Sequence, residues 1–330
     1  MEKHLLLIST GGTIASVPTR QGLSPCTDDS LLRAACQCPP GCCLTLKQLF
    51  ALDSSNIQPE EWLQLAEFIA SQSGRYDGIV VTHGTDTMAY TAGILSYMLC
   101  GIHIPVVLTG SQIPLGQPFS DAPMNLQCAL HAAASPIRGV FLSFAGKLML
   151  GCRAVKIRTC GMNAFESINY PLIGQVSLHG LDIYENALPT PVHQPFRIQV
   201  SDRVFLLKLT PGLDPAILDA VMALGYRAIL IEAFGIGGVH FLHRNFCQKI
   251  AQLSSRGIVI VISSQCLYEK SDLTQYEVGR VALAAGAVSA GDMTSEAAFT
   301  KLMWLLSQYR ERDEIIQHFV SPLCGEIAFP

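Results

Sequence analysis

The chain has 330 residues, of which 49% are hydrophobic and only 15% charged, with a net charge of −4 and a pI near 6.1. That balance gives no electrostatic case for nucleic acid or an anionic membrane surface, and it suits strands buried on both faces of a parallel sheet. No apolar run approaches the roughly 20 residues that span a bilayer, and Leu5-Leu6-Leu7-Ile8 is too short for a signal-peptide core.

The expectation is therefore a soluble, cytoplasmic protein with no nucleic-acid or membrane partner, whose twelve cysteines stay reduced. The length allows two domains with real cores. So little charge also suggests that part of the surface is covered by other subunits.

In chain order, residues 5–9 read as an apolar strand ending in Thr10-Gly11-Gly12-Thr13. Paired glycines let backbone approach a ligand closely and leave amides for an anion or oxyanion, so Thr13 is a candidate reactive group. A phosphate-binding turn or a plain tight turn fits these residues as well. Residues 16–27 hold two prolines and no helical period, the pattern of a lid loop. Asp28 to Ala35 is a short helix candidate.

Cys36-Gln37-Cys38-Pro39-Pro40-Gly41-Cys42-Cys43 invites a metal reading. Its spacing lacks the paired Cys-x-x-Cys pattern and no second ligand cluster follows, so small apolar cysteines around a turn are preferred and no metal is expected.

Leu49 to Leu52 predicts a short strand ending in Asp53-Ser54-Ser55-Asn56, and Pro59 opens an amphipathic helix with Trp62, Leu65, Ala66 and Ile69 on one face. Gly78 to Thr82 is a buried strand ending in His83-Gly84-Thr85-Asp86-Thr87, followed by a helical pattern from Met88. Strand, polar turn, helix sets Thr85 and Asp86 at the carboxyl edge of a parallel sheet, although a turn with an N-cap explains the same residues.

Pro105–Thr109 is a further strand, and Ser120-Asp121 reads as the cap of the next helix. Val140–Phe144 follows, then a hairpin over Lys147–Val155 carrying Lys156, by composition a solvated residue. Residues 184–203 hold three prolines and suit a linker. The domains are thus 1–183 and 204–330, and the second again alternates strands and helices. Gly235-Ile236-Gly237-Gly238 lacks the dinucleotide fingerprint and reads as a turn.

Ser9–Ala15 and His83–Met88 resemble the two signature segments of the bacterial L-asparaginases, and Leu108–Pro114 and Asp121–Leu126 follow where that family has them. Ser264-Gln265-Cys266 and Gly291–Ala297 are similar to its type I, cytoplasmic branch. The resemblance implies an α/β fold with a larger N-terminal doubly wound, mostly parallel sheet domain and a smaller flavodoxin-like α/β C-terminal domain. It also implies a homodimer or a homotetramer built as a dimer of dimers, acting on L-asparagine without a cofactor.

By the same resemblance Thr13 is the nucleophile, with Thr85, Asp86 and Lys156 as the second catalytic group. Asp53, Ser54 and Ser55, together with Thr85 and Asp86, hold the substrate. Cys266 aligns with a cysteine near a second, allosteric asparagine site; a core or interface cysteine is the competing reading. Two positions depart from the pattern. Leu23 follows Gln21-Gly22 where a lid tyrosine is usual, and Gly238 stands where an asparagine is common.

The chemistry agrees. An amide is a poor electrophile, so its hydrolysis needs an activated nucleophile, a proton acceptor and oxyanion donors. A desolvated Lys156 could serve Thr85, with Asp86 opposing the shift in its pKa. Two other readings share these residues: the ammonia-producing subunit of a tRNA-dependent amidotransferase, and a non-catalytic asparagine sensor. The first usually carries an extra N-terminal domain, whereas the first strand here starts at residue 5.

Overall fold

The computed structural model describes residues 2–19, 22–25, 28, 30–192 and 194–328. The chain divides into two units, residues 1–198 and 199–330. In the first, the strands are Lys3–Gly11 (β1), Ser16–Thr19 (β2), Gly22–Pro25 (β3), Cys42–Leu52 (β4), Gly78–Thr82 (β5), Pro105–Thr109 (β6), Gly139–Phe144 (β7), Lys147–Leu150 (β8), Ala154–Lys156 (β9), Phe165–Ser167 (β10), Gly174–Ser177 (β11) and Gly180–Ile183 (β12). Its helices are Ser30–Ala35 (α1), Pro59–Gln72 (α2), Met88–Met98 (α3) and Ala122–Ala133 (α4).

Eight strands make one sheet in the order β12-β11-β8-β7-β6-β5-β1-β4. The five from β4 to β7 are parallel, and β8, β11 and β12 extend the sheet antiparallel. Every residue of β5 and β6 is buried, as strands covered on both faces require. Because β1 lies between β4 and β5, the chain leaves β1 in one direction and returns in the other. This is a topological switch point, where the crevice of an open α/β sheet forms at the strands' carboxyl ends. The helix α2 buries Trp62, Leu65, Ala66 and Ile69, the face its period predicts.

Several expectations change. The lid segment contains the antiparallel hairpin β2–β3, in which Leu23 is 56% exposed; Gln21 and Cys26 lie outside the described residues. The strand expected at 49–52 begins at Cys42, because β1 pairs with it from Lys3↔Cys42 onward and carries polar Thr45, Lys47 and Gln48 into the sheet. The hairpin expected at 147–155 lies one strand earlier. There β7 and β8 are joined through Ala145-Gly146, both at positive φ, and Lys156 sits on β9 against β10.

The second unit holds Val204–Lys208 (β13), Ile217–Ala223 (α5), Ala228–Ala233 (β14), Phe246–Ser254 (α6), Val259–Ser264 (β15), Glu277–Ala284 (α7), Val288–Ser289 (β16), Ser295–Gln308 (α8) and Arg312–Phe319 (α9). Its four strands are parallel in the order β13-β14-β15-β16, around a core of Leu207, Ile229, Ile231, Phe246, Ile250 and Ile260. Among the described residues no helix is long and apolar enough to cross a membrane, and no cysteine is disulfide-bonded.

Candidate active site

Three polar turns follow the carboxyl ends of β1, β4 and β5, and glycine lets them meet. Gly12 has φ 76°, and a Cβ there would overlap the backbone of His83 and Gly84. A Cβ on Gly84 would in turn collide with the Ser54 side chain. Backbone therefore touches backbone at Gly12 and Gly84, and the next residue in each turn is a threonine, Thr13 in one and Thr85 in the other. The Thr10 hydroxyl donates to the Thr82 carbonyl (2.7 Å), tying the two strand ends together. The Gly12 amide, expected to be open for an oxyanion, donates instead to the Leu52 carbonyl (2.9 Å). A carbonyl from β4 reaches it because β4 runs alongside β1 to its end.

Thr13 opens a single turn of 3-10 helix and is half-buried. Thr85 is 5% exposed. Its hydroxyl accepts from Lys156 Nζ (2.8 Å) and donates to Gln112 Oε1 (3.3 Å). Lys156 also donates to Asp86 Oδ1 at 2.5 Å; their side chains are 17% and 59% exposed. Thr85, Asp86 and Lys156 thus form one contiguous group, with a hydroxyl and an ammonium in contact and the carboxylate facing solvent. Such a set can hold and pass a proton beside a bound molecule.

Asp53 accepts from the Ser55 amide (2.9 Å), capping the short turn 54–56, and both residues are exposed. Ser54 is buried and joins the turns. Its hydroxyl accepts from the Asp86 amide (3.2 Å) and its carbonyl accepts from the Thr87 hydroxyl (2.7 Å). Cys266 lies in the other unit, exposed, just past β15, with its amide donating to the Ser264 hydroxyl (2.9 Å).

Two residues escaped sequence reasoning. Gln112 reaches Thr85 on one side, and on the other its amide donates to the carbonyls of Thr159 (3.2 Å) and Gly161 (3.1 Å), gripping the segment that follows β9. Asp121 holds the Gln112 turn. Expected as a helix cap, its carboxylate instead accepts from the amides of Gln112 and Ile113, whose N–H groups converge on it. Buried Asn125 completes the brace through Asp121 Oδ2 and the Gly110 carbonyl.

The second is His83, wholly buried beneath the turn. The Gly84 carbonyl can only accept, so the proton sits on His83 Nδ1 (2.7 Å) and Nε2 accepts from Thr91 (2.9 Å). Thr91 accepts from Trp62 Nε1 (2.9 Å). This ordered chain runs from α2 through α3 into the Thr85 turn. Burial lowers the His83 pKa to about 4 against the smaller upward pull of the Gly84 carbonyl, keeping the ring neutral. No local signal marks Gln112, which stands 27 residues from Thr85 in the chain; His83 lies within the motif itself, just past an apolar strand.

The family model described as Asparaginase, N-terminal, matches residues 4–189, and that of the Glutaminase/Asparaginase C-terminal domain matches residues 203–319. An L-asparaginase of Thermococcus kodakarensis is 42% identical over 330 residues, covering 98% of each chain. A glutamyl-tRNA(Gln) amidotransferase component of Methanobrevibacter smithii is 34% identical over 339 residues, covering 98% of this chain and 77% of that protein. Among solved structures, the thermostable L-asparaginase from Thermococcus kodakarensis is similar with a TM-score of 0.93 and 40% identity, over 99% of this chain and 100% of that one.

Proposed function

The chain belongs to the asparaginase family and is an amidohydrolase, and from that premise we propose that it hydrolyses L-asparagine to L-aspartate and ammonia through an ester on Thr13. The observation that carries the reading is the backbone contact of Gly12 with Gly84, one residue before each threonine, with Lys156 bonded to the second hydroxyl.

In this reading the Thr13 oxygen attacks the side-chain amide carbon and the carbon–nitrogen bond breaks. The proton lost by Thr13 ends on the departing nitrogen, which leaves as ammonia. Water then attacks the ester, aspartate is released and the hydroxyl is restored. Thr85 and Lys156 relay the water's proton, and Asp86 fixes the ammonium of Lys156 and draws the substrate's α-amino group. Asp53, Ser54 and Ser55 supply the remaining polar contacts to the substrate's charged end. Leu23 has no hydroxyl, so the lid contributes no proton acceptor at that position. The protein works as a homodimer or homotetramer, which the mass in solution tests.

Ammonia release from L-asparagine, measured beside L-glutamine, is the direct assay. Thr13→Ala lowers kcat by about 10⁴-fold or more with the circular dichroism unchanged. Full activity in that variant would sink the mechanism. Calorimetric binding of asparagine without turnover by the natural chain would favour a sensor instead. A sigmoidal saturation curve would support a second asparagine site near Cys266.

A further inference from the structure

The cysteine-rich segment before β4 acquires, through strand pairing, the partners that its own spacing lacks. In the parallel ladder of β1 and β4, His4 stands opposite Cys43 and Lys3 opposite Cys42. Side chains alternate along a strand, and laterally paired residues share a face. His4 and Cys43 therefore project together, and Glu2, two residues before His4, projects with them. One ligand atom from each of Glu2, His4 and Cys43 lies within 4.8 Å of the other two. Cys42 faces the other way, with its thiol toward the Pro40 carbonyl (3.9 Å).

The turn before β4 is pinned to both strands, where Lys3 donates to the Gly41 carbonyl (2.9 Å) and Cys42 to the Pro39 carbonyl (3.1 Å). The backbone of His4 is fixed as well, donating to the Asp77 carboxylate (2.7 Å) and accepting from the Asp77 amide (2.8 Å). Glu2 and His4 are exposed and Cys43 half-buried, so an ion can enter from solvent.

We propose that Glu2, His4 and Cys43 bind one zinc-class divalent cation that clamps β1 to β4 at the amino edge of the sheet. A thiolate, an imidazole and a carboxylate are a borderline-soft set suited to tetrahedral zinc, with water in the fourth position, rather than to calcium or magnesium. Bonds of about 2.0–2.3 Å place tetrahedral donors roughly 3.3–3.8 Å apart, which rotation about the Glu2 and Cys43 side-chain bonds achieves. Binding releases the thiol proton to solvent. The site lies at the opposite end of β1 from Thr13, roughly 30 Å away at about 3.3 Å per residue, and is independent of the proposed turnover.

The test uses the full-length, reduced protein titrated with Co²⁺ as a spectroscopic probe and Zn²⁺ as competitor. The expected result is one Co²⁺ per chain with a thiolate-to-metal charge-transfer band in the near ultraviolet, displaced by Zn²⁺. Cys43→Ser and His4→Ala each weaken Zn²⁺ binding at least tenfold and leave ammonia release unchanged, while Cys160→Ser leaves Zn²⁺ binding unaltered. Co²⁺ binding without the thiolate band overturns the proposal. So does binding that survives Cys43→Ser, or a band that disappears with Cys42→Ser but not with Cys43→Ser. Circular dichroism of each variant separates lost binding from lost fold.

Discussion

Lys156 faces Asp86 in the first unit and Lys301 faces Glu326 in the second, both at a nitrogen–oxygen distance of 2.5 Å. The surroundings differ completely. Lys301 and Glu326 have side chains 1% and 0% exposed, and the lysine's other hydrogen bonds run to the carbonyls of Phe319 (2.8 Å) and Ser321 (2.7 Å). Glu326 accepts in addition from the amides of Leu323 and Cys324. Burial pushes the Glu326 pKa up, but the Lys301 charge and these hydrogen bonds outweigh it and hold the carboxyl below its ordinary value. Every donor and acceptor is satisfied, so this pair can anchor α8 to the chain after α9 and has nothing left to offer a substrate. Lys156 and Asp86 are the reverse case: the carboxylate is open to solvent and the ammonium also donates to the Thr85 hydroxyl. Under the proposed mechanism, identical ion pairs serve structure or chemistry according to how completely their surroundings saturate them.

Exchanging the two lysines for methionine separates those roles. Lys156→Met lowers kcat for asparagine by about 10²–10⁴-fold, the range for loss of a positioned proton-transfer group, with little change in the urea midpoint. Lys301→Met has its effect on stability, costing about 3–5 kcal/mol in equilibrium unfolding because a buried carboxylate loses its counter-charge. Adding Glu326→Gln recovers most of that loss, since the amide oxygen still accepts from the Leu323 and Cys324 amides without carrying charge. A fall in kcat for folded Lys301→Met as deep as that of Lys156→Met would refute the contrast.

The smallest of the expected effects concerns the support under the Thr85 turn. The His83 pKa is 6.5 in the unfolded chain and about 4 in the folded one. Between those values the unfolded chain binds the proton and the folded chain does not. His83 therefore lowers stability as pH falls from about 6.5 to about 4, by on the order of 3 kcal/mol, and has no such effect above that window. His83→Asn keeps a donor for the Gly84 carbonyl and should flatten the dependence. Unfolding midpoints at pH 7 and 4.5 for both proteins check it, and equal slopes would dismiss the assignment.

Much of this molecule is legible in its residues taken locally. Strands covered on both faces must be apolar throughout, so β5 and β6 stand out as continuous runs, and the 3.6-residue period of α2 names its buried face. The polar residues that close β1 and β5 mark Thr13, Thr85 and Asp86 as candidates for the same reason, since an apolar buried strand turns polar where it reaches its end, and the polar cluster after Leu52 marks Asp53. Local pattern cannot say which edges adjoin. The order β4-β1-β5 depends on contacts between residues tens of positions apart, and only that order brings Gly12 against Gly84.

Long-range register likewise extends β4 back to Cys42, sets His4 beside Cys43, and delivers Gln112 and Lys156 to Thr85 from separate loops. By itself, then, the sequence determined the faces, the strand ends and the kinds of side chain available for chemistry. Tertiary structure decided which of them touch, because side-chain periodicity is a local property and strand register is a global one.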